Sequence, residues 1–271
     1  MDHNLSTFRT ETVTLGSGRL SARVAGNGTP LVLCHSLLAD DSSFDRIAGA
    51  LTQTHRVVIL SLPGFGASSP VDGGLEAVAD RVAEGLRAFG FDRPPAMLGN
   101  GYGGFVTLLA TLRHPDLASR LVLADCGACF SESGRAAFRN MSAAAREKGL
   151  DGVADIAMRR LFSAGYQADH PGLISERRQR FLAVNPDTFQ QACAALATLD
   201  LRNQLHKLHV PVLVLVGEED EATPPAMSRE LAAGLPDARI AVLPGCAHVP
   251  QLQAPDQFLA TIRPFLADAA A

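Results

Sequence analysis

The sequence predicts an α/β protein with a mostly parallel sheet, covered by helices on both faces and interrupted by a helical insertion. Short continuous apolar runs alternate with amphipathic stretches in the first half of the chain and again near its end. A run that is apolar throughout is typical of a strand buried on both faces, as in parallel sheets. Between about residues 130 and 205 there are several helical patterns and no strand-like run. We therefore predict an α/β core formed by residues 1–129 and 206–271, and a helical cap formed by residues 130–205.

The first half is predicted to begin with a hairpin of strands 9–15 and 20–25, turning about the glycines at 16 and 18. After the hairpin, strands and helices alternate. The predicted elements are, in order, a strand over 30–35, a helix over 47–51, a strand over 56–62, a helix over 77–89, a strand over 95–98, a helix over 105–112 and a strand over 120–124.

The insertion carries helical patterns such as 152–162 and 188–199, and the alternation then resumes. The predicted elements of the last part are a strand over 210–216, a helix over 226–235, a strand over 239–243 and a helix over 256–265. An insertion at this point would lie over the carboxyl ends of the strands, where open α/β sheets bind their ligands.

Composition limits the classes of function. The 271 residues are 47% hydrophobic, enough for one large domain. The net charge of -4 comes without a basic stripe, which argues against a nucleic-acid partner. No apolar run reaches the ~18 residues that span a membrane, and residues 1–4 lack the order of a signal peptide.

Five widely spaced cysteines suggest free thiols in a cytoplasmic protein. Cys126 and Cys129 form a C-x-x-C pair, but without a second pair or nearby histidines we expect core packing there. Nothing in the composition or in the cysteine spacing calls for a cofactor, a metal, or a nucleic-acid or membrane partner. We expect none of these, and we expect a small-molecule substrate. The oligomeric state stays open.

The most informative motif is Gly-Asn-Gly-Tyr-Gly-Gly at residues 99–104, between a predicted strand and a predicted helix. It has the form G-x-S-x-G-G of a nucleophile elbow, with Gly101 in the place of the serine. An elbow is a sharp strand-to-helix turn that projects one strained position over the sheet. A dinucleotide-binding turn also needs glycines, but it would follow the first strand of its βαβ unit. The sequence therefore keeps the apparatus that presents a nucleophile and lacks the nucleophile.

Four further segments accompany the elbow in order. They are Leu-Cys-His-Ser-Leu at 33–37, Leu-Pro-Gly-Phe-Gly at 62–66, Val-Gly-Glu-Glu-Asp at 216–220 and Gly-Cys-Ala-His-Val-Pro at 245–250. Together these five motifs resemble the α/β-hydrolase fold over essentially the whole chain. Within that superfamily, the 35–37 loop and the short patterns at 149–159 and 199–202 are similar to 3-oxoadipate enol-lactonases.

The resemblance implies where the catalytic groups lie. A serine nucleophile needs a neighbouring base, and the base needs a third group that orients its ring. The family's chain order of nucleophile, acid and histidine maps to Gly101, Asp220 and His248. Asp220 is the favoured acid, and Asp125, at the end of an earlier strand, is the alternative.

The resemblance also implies an oxyanion hole formed by the backbone N–H groups of Leu37 and Tyr102. His35 is interpreted as a structural residue. Ser36 and Asn100 are predicted substrate contacts, and Ser36 is favoured as a contact over a substitute nucleophile because it lacks the projection of the elbow. A cysteine nucleophile such as Cys246 stays open.

Because glycine has no atom that attacks a carbonyl, no covalent intermediate can form at position 101. We predict an enol-lactonase-like enzyme for a small lactone or ester, in which a His248–Asp220 dyad activates water or removes a proton directly. The alternatives are a non-hydrolytic lyase, decarboxylase or cofactor-free oxygenase that uses the same dyad, an engineered serine-to-glycine form of an ordinary hydrolase, and a non-catalytic small-molecule-binding protein.

Overall fold

A computed structural model describes residues 8–267 of the chain. Residues 1–7 and 268–271 of the predicted core, including those on which the signal-peptide expectation rests, lie outside the described residues. No helix in the described range is long and apolar enough to cross a membrane.

The described residues form one eight-stranded sheet, and its strand order is β1-β2-β4-β3-β5-β6-β7-β8. The pairs β1–β2 and β2–β4 are antiparallel and all other neighbours are parallel. The predicted mostly parallel sheet is therefore confirmed. The strands are β1 (Arg9–Leu15), β2 (Gly18–Ala25), β3 (Thr29–Cys34), β4 (His55–Ser61), β5 (Ala96–Asn100), β6 (Arg120–Ala124), β7 (Val212–Gly217) and β8 (Ala238–Leu243).

Helices of the core cover both faces of the sheet, and further helices are inserted between β6 and β7. The core helices are α1 (Asp45–Leu51), α2 (Gly74–Ala88), α3 (Tyr102–Arg113), α9 (Pro225–Gly234), α10 (Pro250–Gln253) and α11 (Pro255–Ala267). The inserted helices are α4 (Glu132–Lys148), α5 (Asp151–Leu161), α6 (Ala164–Asp169), α7 (Pro171–Leu182) and α8 (Pro186–Thr198). Short 3₁₀ segments occupy Asp41–Phe44 and Arg202–Lys207.

The central strands are apolar on both faces because each face has its own layer of helices. All residues of β5, β6 and β7 are buried. Successive side chains alternate between two cores, so Val32 packs on the side of α2 and α3 while Leu31 packs on the side of α1 and α11. This arrangement fixes the carboxyl ends of β3, β5 and β7 along one edge of the sheet.

Helix α3 begins at Tyr102, three residues before the predicted start at 105. The prediction missed the first turn of the helix because the glycines at 103 and 104 have no side chain that contributes to an apolar pattern. Only Gly101 separates β5 from α3, and the Gly103 N–H donates a hydrogen bond to the carbonyl of His35, 3.0 Å away. The elbow is thus tied directly to the loop that follows β3.

The five inserted helices lie against the loops at the carboxyl ends of the strands. Thr188 of α8 donates a hydrogen bond to the Gly64 carbonyl, and Arg177 of α7 donates one to the Ser42 hydroxyl. The division into a core of residues 1–129 and 206–271 and a cap of residues 130–205 remains a prediction.

Candidate active site

Gly101 adopts the backbone conformation of a nucleophile elbow. Its φ is 54° and its ψ is -118°, and its N–H donates to the Ala124 carbonyl at 2.9 Å. A residue with a side chain is strained at such a φ, whereas glycine is not. The turn is therefore formed here without the strain that a serine would bring.

His248 and Asp220 form a buried pair at the carboxyl edge of the sheet. The Nδ1–H of His248 donates to Asp220 Oδ2 at 2.9 Å, and both residues are buried. The backbone N–H groups of Ala222 and Thr223 donate to Asp220 Oδ1, and the Thr223 hydroxyl donates to Oδ2. Burial alone would raise the pKa of Asp220, but His248 and the hydrogen bonds from Thr223 bring that pKa below its ordinary value. Asp220 therefore holds His248 as a hydrogen-bonded carboxylate.

The other ring nitrogen of His248 faces the elbow. A Cβ built on Gly101 would lie 2.8 Å from His248 Nε2 and 2.7 Å from Ser36 Oγ. With Nδ1 protonated toward Asp220, Nε2 carries the lone pair that a general base needs. The structure thus brings Gly101, Ser36, Asp220 and His248 together.

The alternative acid, Asp125, is also buried but does not contact the imidazole ring. Its φ is 52°, its Oδ1 accepts the Gly217 N–H at 2.8 Å, and its Oδ2 accepts from the side-chain amide of Asn100 at 3.1 Å. Burial, and next the charge of Asp220, raise the pKa of Asp125 well above its usual value. Within residues 8–267, the carboxyl group that His248 Nδ1 binds is that of Asp220.

Asn100 has a different position from the one predicted. Its amide Nδ2 also donates to the His248 carbonyl at 2.9 Å, and its Oδ1 accepts from Gln251 Nε2 at 3.0 Å. The residue is fully buried and is absent from the lining of the catalytic cavity. We therefore replace the predicted substrate contact with a structural one, in which Asn100 fixes the loop that carries His248.

Sequence reasoning missed Thr223 and Gln251, which position Asp220 and Asn100. Thr223 lies three residues after Asp220, and an Asp side chain that accepts from the next residues' N–H groups is a common turn pattern. That spacing was the available signal. Nothing in the sequence around Gln251 indicated its partner, which lies 151 residues earlier.

The predicted oxyanion donors lie beside the elbow. Tyr102 is the first residue of α3, so its N–H has no partner within the helix. Within the described part of the chain, neither the Tyr102 N–H nor the Leu37 N–H donates a backbone hydrogen bond. Both residues line the same cavity as His248. Two N–H donors without a backbone partner, one at the N-terminus of α3 and one in the turn after β3, are suited to a developing negative charge.

The cavity beside His248 is small and only partly enclosed. Its volume is about 30 Å³, and it is lined by Ser36, Leu37, Gly101, Tyr102 and His248 from the core together with Phe138, Arg160 and Leu196 from the cap, among others. Such a volume holds about one water molecule and no ester. A larger cleft of about 720 Å³ lies alongside, between the cap near Arg159 and the acidic segment 218–221. Arg160 lines both spaces.

His35 supports the loop, as predicted, through both ring nitrogens. Its Nδ1–H donates to the Ser36 carbonyl at 2.9 Å, and its Nε2 accepts the Leu62 N–H at 3.2 Å. Burial lowers the pKa of His35, which keeps the ring neutral. These two bonds fix the backbone that presents Ser36 and Leu37.

The alternative of a cysteine nucleophile is not supported. Burial raises the pKa of Cys246 to about 11 and that of Cys34 to about 12, so neither forms a thiolate readily. Neither lines the catalytic cavity. Residues 8–267 also contain no group of three or more His, Cys, Asp or Glu side chains placed to hold a metal ion.

The profile of the alpha/beta hydrolase family matches residues 31–261. The chain belongs to the alpha/beta hydrolase family. A pimeloyl-[acyl-carrier protein] methyl ester esterase of Neisseria meningitidis serogroup C is 30% identical over 256 residues, covering 86% of this chain and 92% of that protein.

Two solved structures share the architecture over nearly the whole chain. The enol-lactonase from Burkholderia xenovorans LB400 superposes with a TM-score of 0.88 and 26% identity, covering 95% of this chain and all of that one. A thermophilic esterase from Thermogutta terrifontis superposes with a TM-score of 0.85 and 26% identity, covering 97% of this chain and 98% of that one. These similar proteins are named as ester and lactone hydrolases, which supports a hydrolase-like site here.

Proposed function

We propose that this protein hydrolyses a small ester or lactone, with His248 as the general base and Asp220 as the group that orients it. The observation that carries the proposal is that one cavity is lined by His248, whose Nε2 lies beside Gly101, and by Leu37 and Tyr102, whose N–H groups have no backbone hydrogen-bond partner. A base and an oxyanion hole that face a common point are the two requirements of acyl transfer once an attacking oxygen is supplied.

The chemistry proceeds without an oxygen from residue 101. His248 takes a proton from the attacking oxygen, and the simplest such oxygen is that of a water molecule. The carbonyl oxygen becomes an oxyanion held by Leu37 and Tyr102, and His248 then returns the proton to the leaving alkoxide. General-base assistance is worth ~10²–10⁴-fold in rate and an oxyanion donor ~10²–10³-fold, so this machinery supports useful turnover.

Hydrolysis is favoured over the alternatives by two observations. The similar proteins that share the fold over nearly its whole length are named as an esterase and an enol-lactonase. The paired N–H donors suit the tetrahedral intermediate of acyl transfer, whereas removal of a proton from carbon or a phenol needs only the base. Retention of both the base and the paired donors also argues against a protein that only binds its ligand.

The test is turnover of a panel of short p-nitrophenyl esters, methyl esters of carboxylic acids, and five- and six-membered lactones. We expect wild-type hydrolysis of at least one class, and His248→Ala to reduce kcat/KM by about 10²–10⁴-fold because the base is lost. His209→Ala, at an exposed position outside the site, is the matched control and should retain wild-type rates. Equal rates for wild type and His248→Ala would overturn the dyad, and an inactive wild type would overturn ester and lactone hydrolysis.

A further inference from the structure

We propose that Ser36 supplies the attacking oxygen, so that the nucleophile has moved from the elbow to the neighbouring loop. The proposal rests on the proposed function, because it identifies the oxygen that His248 activates. It assigns a covalent acyl-enzyme to a residue outside the G-x-S-x-G-G motif, at the turn after β3.

The space that a serine side chain at position 101 would fill is occupied by Ser36 and His248. A Cβ on Gly101 would lie 2.7 Å from Ser36 Oγ, 3.1 Å from Ser36 Cβ and 2.8 Å from His248 Nε2. Contacts of this kind are shorter than van der Waals packing permits, so not even a methyl group fits there without displacement. The Ser36 hydroxyl and the basic nitrogen of His248 therefore flank the same point.

The other hydroxyl groups around the cavity are less suited to attack. Thr223 Oγ1 donates to Asp220 Oδ2 at 2.7 Å, on the Nδ1 side of the imidazole ring. Burial raises the pKa of the Tyr102 phenol, which disfavours the anion. Of these hydroxyl groups, that of Ser36 lies nearest to the point beside Gly101 that His248 Nε2 also approaches.

The Ser36 hydroxyl has no structural task that would explain it. Ser36 is 1% exposed, and within residues 8–267 its Oγ makes no hydrogen bond to protein, although Oγ is not one of the fully buried atoms that lack a partner. The hydroxyl is therefore not tied to a structural partner and keeps slight access from the cavity. It also makes no hydrogen bond to His248 here, but such catalytic bonds are often long or poorly aligned until substrate binds.

The backbone around Ser36 is fixed in a way that suits a nucleophile. The Ser36 carbonyl accepts from His35 Nδ1 at 2.9 Å and from the Ala39 N–H at 3.2 Å. The next residue, Leu37, offers an unsatisfied N–H to the same cavity. The attacking oxygen and one oxyanion donor therefore sit on consecutive residues of one rigid turn.

The proposed reaction has two stages, acylation of Ser36 and hydrolysis of the acyl-enzyme, and water is its only co-substrate. The Ser36 Oγ–H gives its proton to His248 Nε2 while Oγ bonds to the carbonyl carbon, and the carbonyl electron pair moves to the oxygen held by Leu37 and Tyr102. The tetrahedral intermediate collapses, the bond to the alkoxy oxygen breaks, and His248 protonates the leaving alcohol. Water then attacks the acyl-Ser36 ester, gives a proton to His248, and the acid leaves as Ser36 recovers its proton.

The experiment treats the full chain with a fluorophosphonate probe and locates any adduct by peptide mass spectrometry. Wild type should lose activity and carry one adduct, on the peptide that contains Ser36, and His248→Ala should carry none. Ser36→Ala should carry none either and should lose about 10²–10⁴-fold in kcat on the best ester of the panel. Ser43→Ala is the matched control, because the buried Ser43 hydroxyl also makes no hydrogen bond to protein and lies in the next turn, outside the cavity. It should be labelled like wild type.

A second variant covers the case in which Ser36→Ala folds poorly. Ser36→Cys keeps a nucleophile of similar size and should accumulate an acetyl thioester with p-nitrophenyl acetate, provided that His248 is present. An adduct at another residue, or His248-dependent turnover by Ser36→Ala at the wild-type rate, would overturn the role of Ser36. The second result would leave the proposed hydrolysis in place with water as the attacking group. Labelling needs no turnover, so an inactive wild type would overturn the proposed hydrolysis alone, and labelling would still decide the role of Ser36.

Discussion

Two buried carboxyl groups near the carboxyl edge of the sheet have pKa values shifted in opposite directions. Asp220 is surrounded by donors that lower its pKa, whereas burial and the neighbouring charge of Asp220 raise the pKa of Asp125. The Asp220 carboxylate therefore binds His248, and the Asp125 carboxyl group accepts hydrogen bonds from the Gly217 N–H and from the side chain of Asn100. Two carboxylates this deeply buried could not both ionise at a small free-energy cost.

The raised pKa of Asp125 predicts a dependence of stability on pH. An unfolded Asp releases its proton near pH 3.9, while folded Asp125 retains it, so the free energy of unfolding falls as pH rises from about 4 toward the folded pKa. The contribution of this one group approaches about 1.4 kcal/mol per pH unit. Urea unfolding between pH 5 and 8 should show that the stability of Asp125→Asn improves relative to wild type as pH rises. Asp116→Asn, at an exposed site, is the control, and parallel curves for Asp125→Asn and wild type would contradict the assignment.

For individual residues, the sequence predicts positions along the chain but not side-chain contacts. The order of motifs was sufficient to place Gly101, Asp220 and His248 in one candidate site. It did not show that Asn100 points away from the cavity, because a motif gives positions along the chain and not side-chain directions. The proximity of Ser36 to His248 depends on two loops brought together by the sheet, and no local pattern reports it.

At the scale of elements, the elbow depends on a close approach between α3 and β3. A Cβ on Gly103 would lie 2.1 Å from the carbonyl oxygen of Cys34, the last residue of β3. Backbone atoms of a central strand cannot move aside without disturbing the sheet. Glycine at 103 is therefore required by the packing of the first turn of α3.

Gly103→Ala should destabilise the fold by about 1–3 kcal/mol through overpacking. Gly172→Ala in α7 is the matched substitution, because a Cβ there meets nothing within 4 Å and alanine favours a helix by roughly 0.5–1 kcal/mol. Urea unfolding of the two variants measures the difference. Equal stabilities would show that α3 and β3 are not held by this contact.

Strands and helices were predicted well where their burial produces a clear apolar pattern in the sequence. The buried strands of the sheet were found because their apolar runs are continuous. The inserted helices were harder to predict, because α6 buries none of its residues and α7 buries only Arg177 and Phe181. A helix with so narrow a buried face shows little amphipathic period.

At the scale of the whole molecule, the helices inserted between β6 and β7 line the site together with the core. Arg180 of α7 pairs with Asp40 at 3.2 Å, and Arg160 of α5 donates to the Ala222 carbonyl at 3.4 Å, so contacts from the cap reach two loops of the core. Because the cavity of about 30 Å³ is too small for an ester, we expect substrate binding to require some of these contacts to open. The adjoining cleft shares Arg160 with the cavity. The sequence predicts a cap over the strand ends but could not give the side-chain packing of the inserted helices, which sets the shape of the cavity.

The central claim is that His248 and Asp220 act as one unit in a site whose elbow carries no nucleophile. The most direct test is kcat/KM for His248→Ala, Asp220→Asn and the double variant on the best ester or lactone of the panel. Once the base is removed, the carboxylate that orients it has nothing left to act on. The double variant should therefore be no slower than His248→Ala alone. Losses that multiply in the double variant would show that the two residues act independently and would contradict the account.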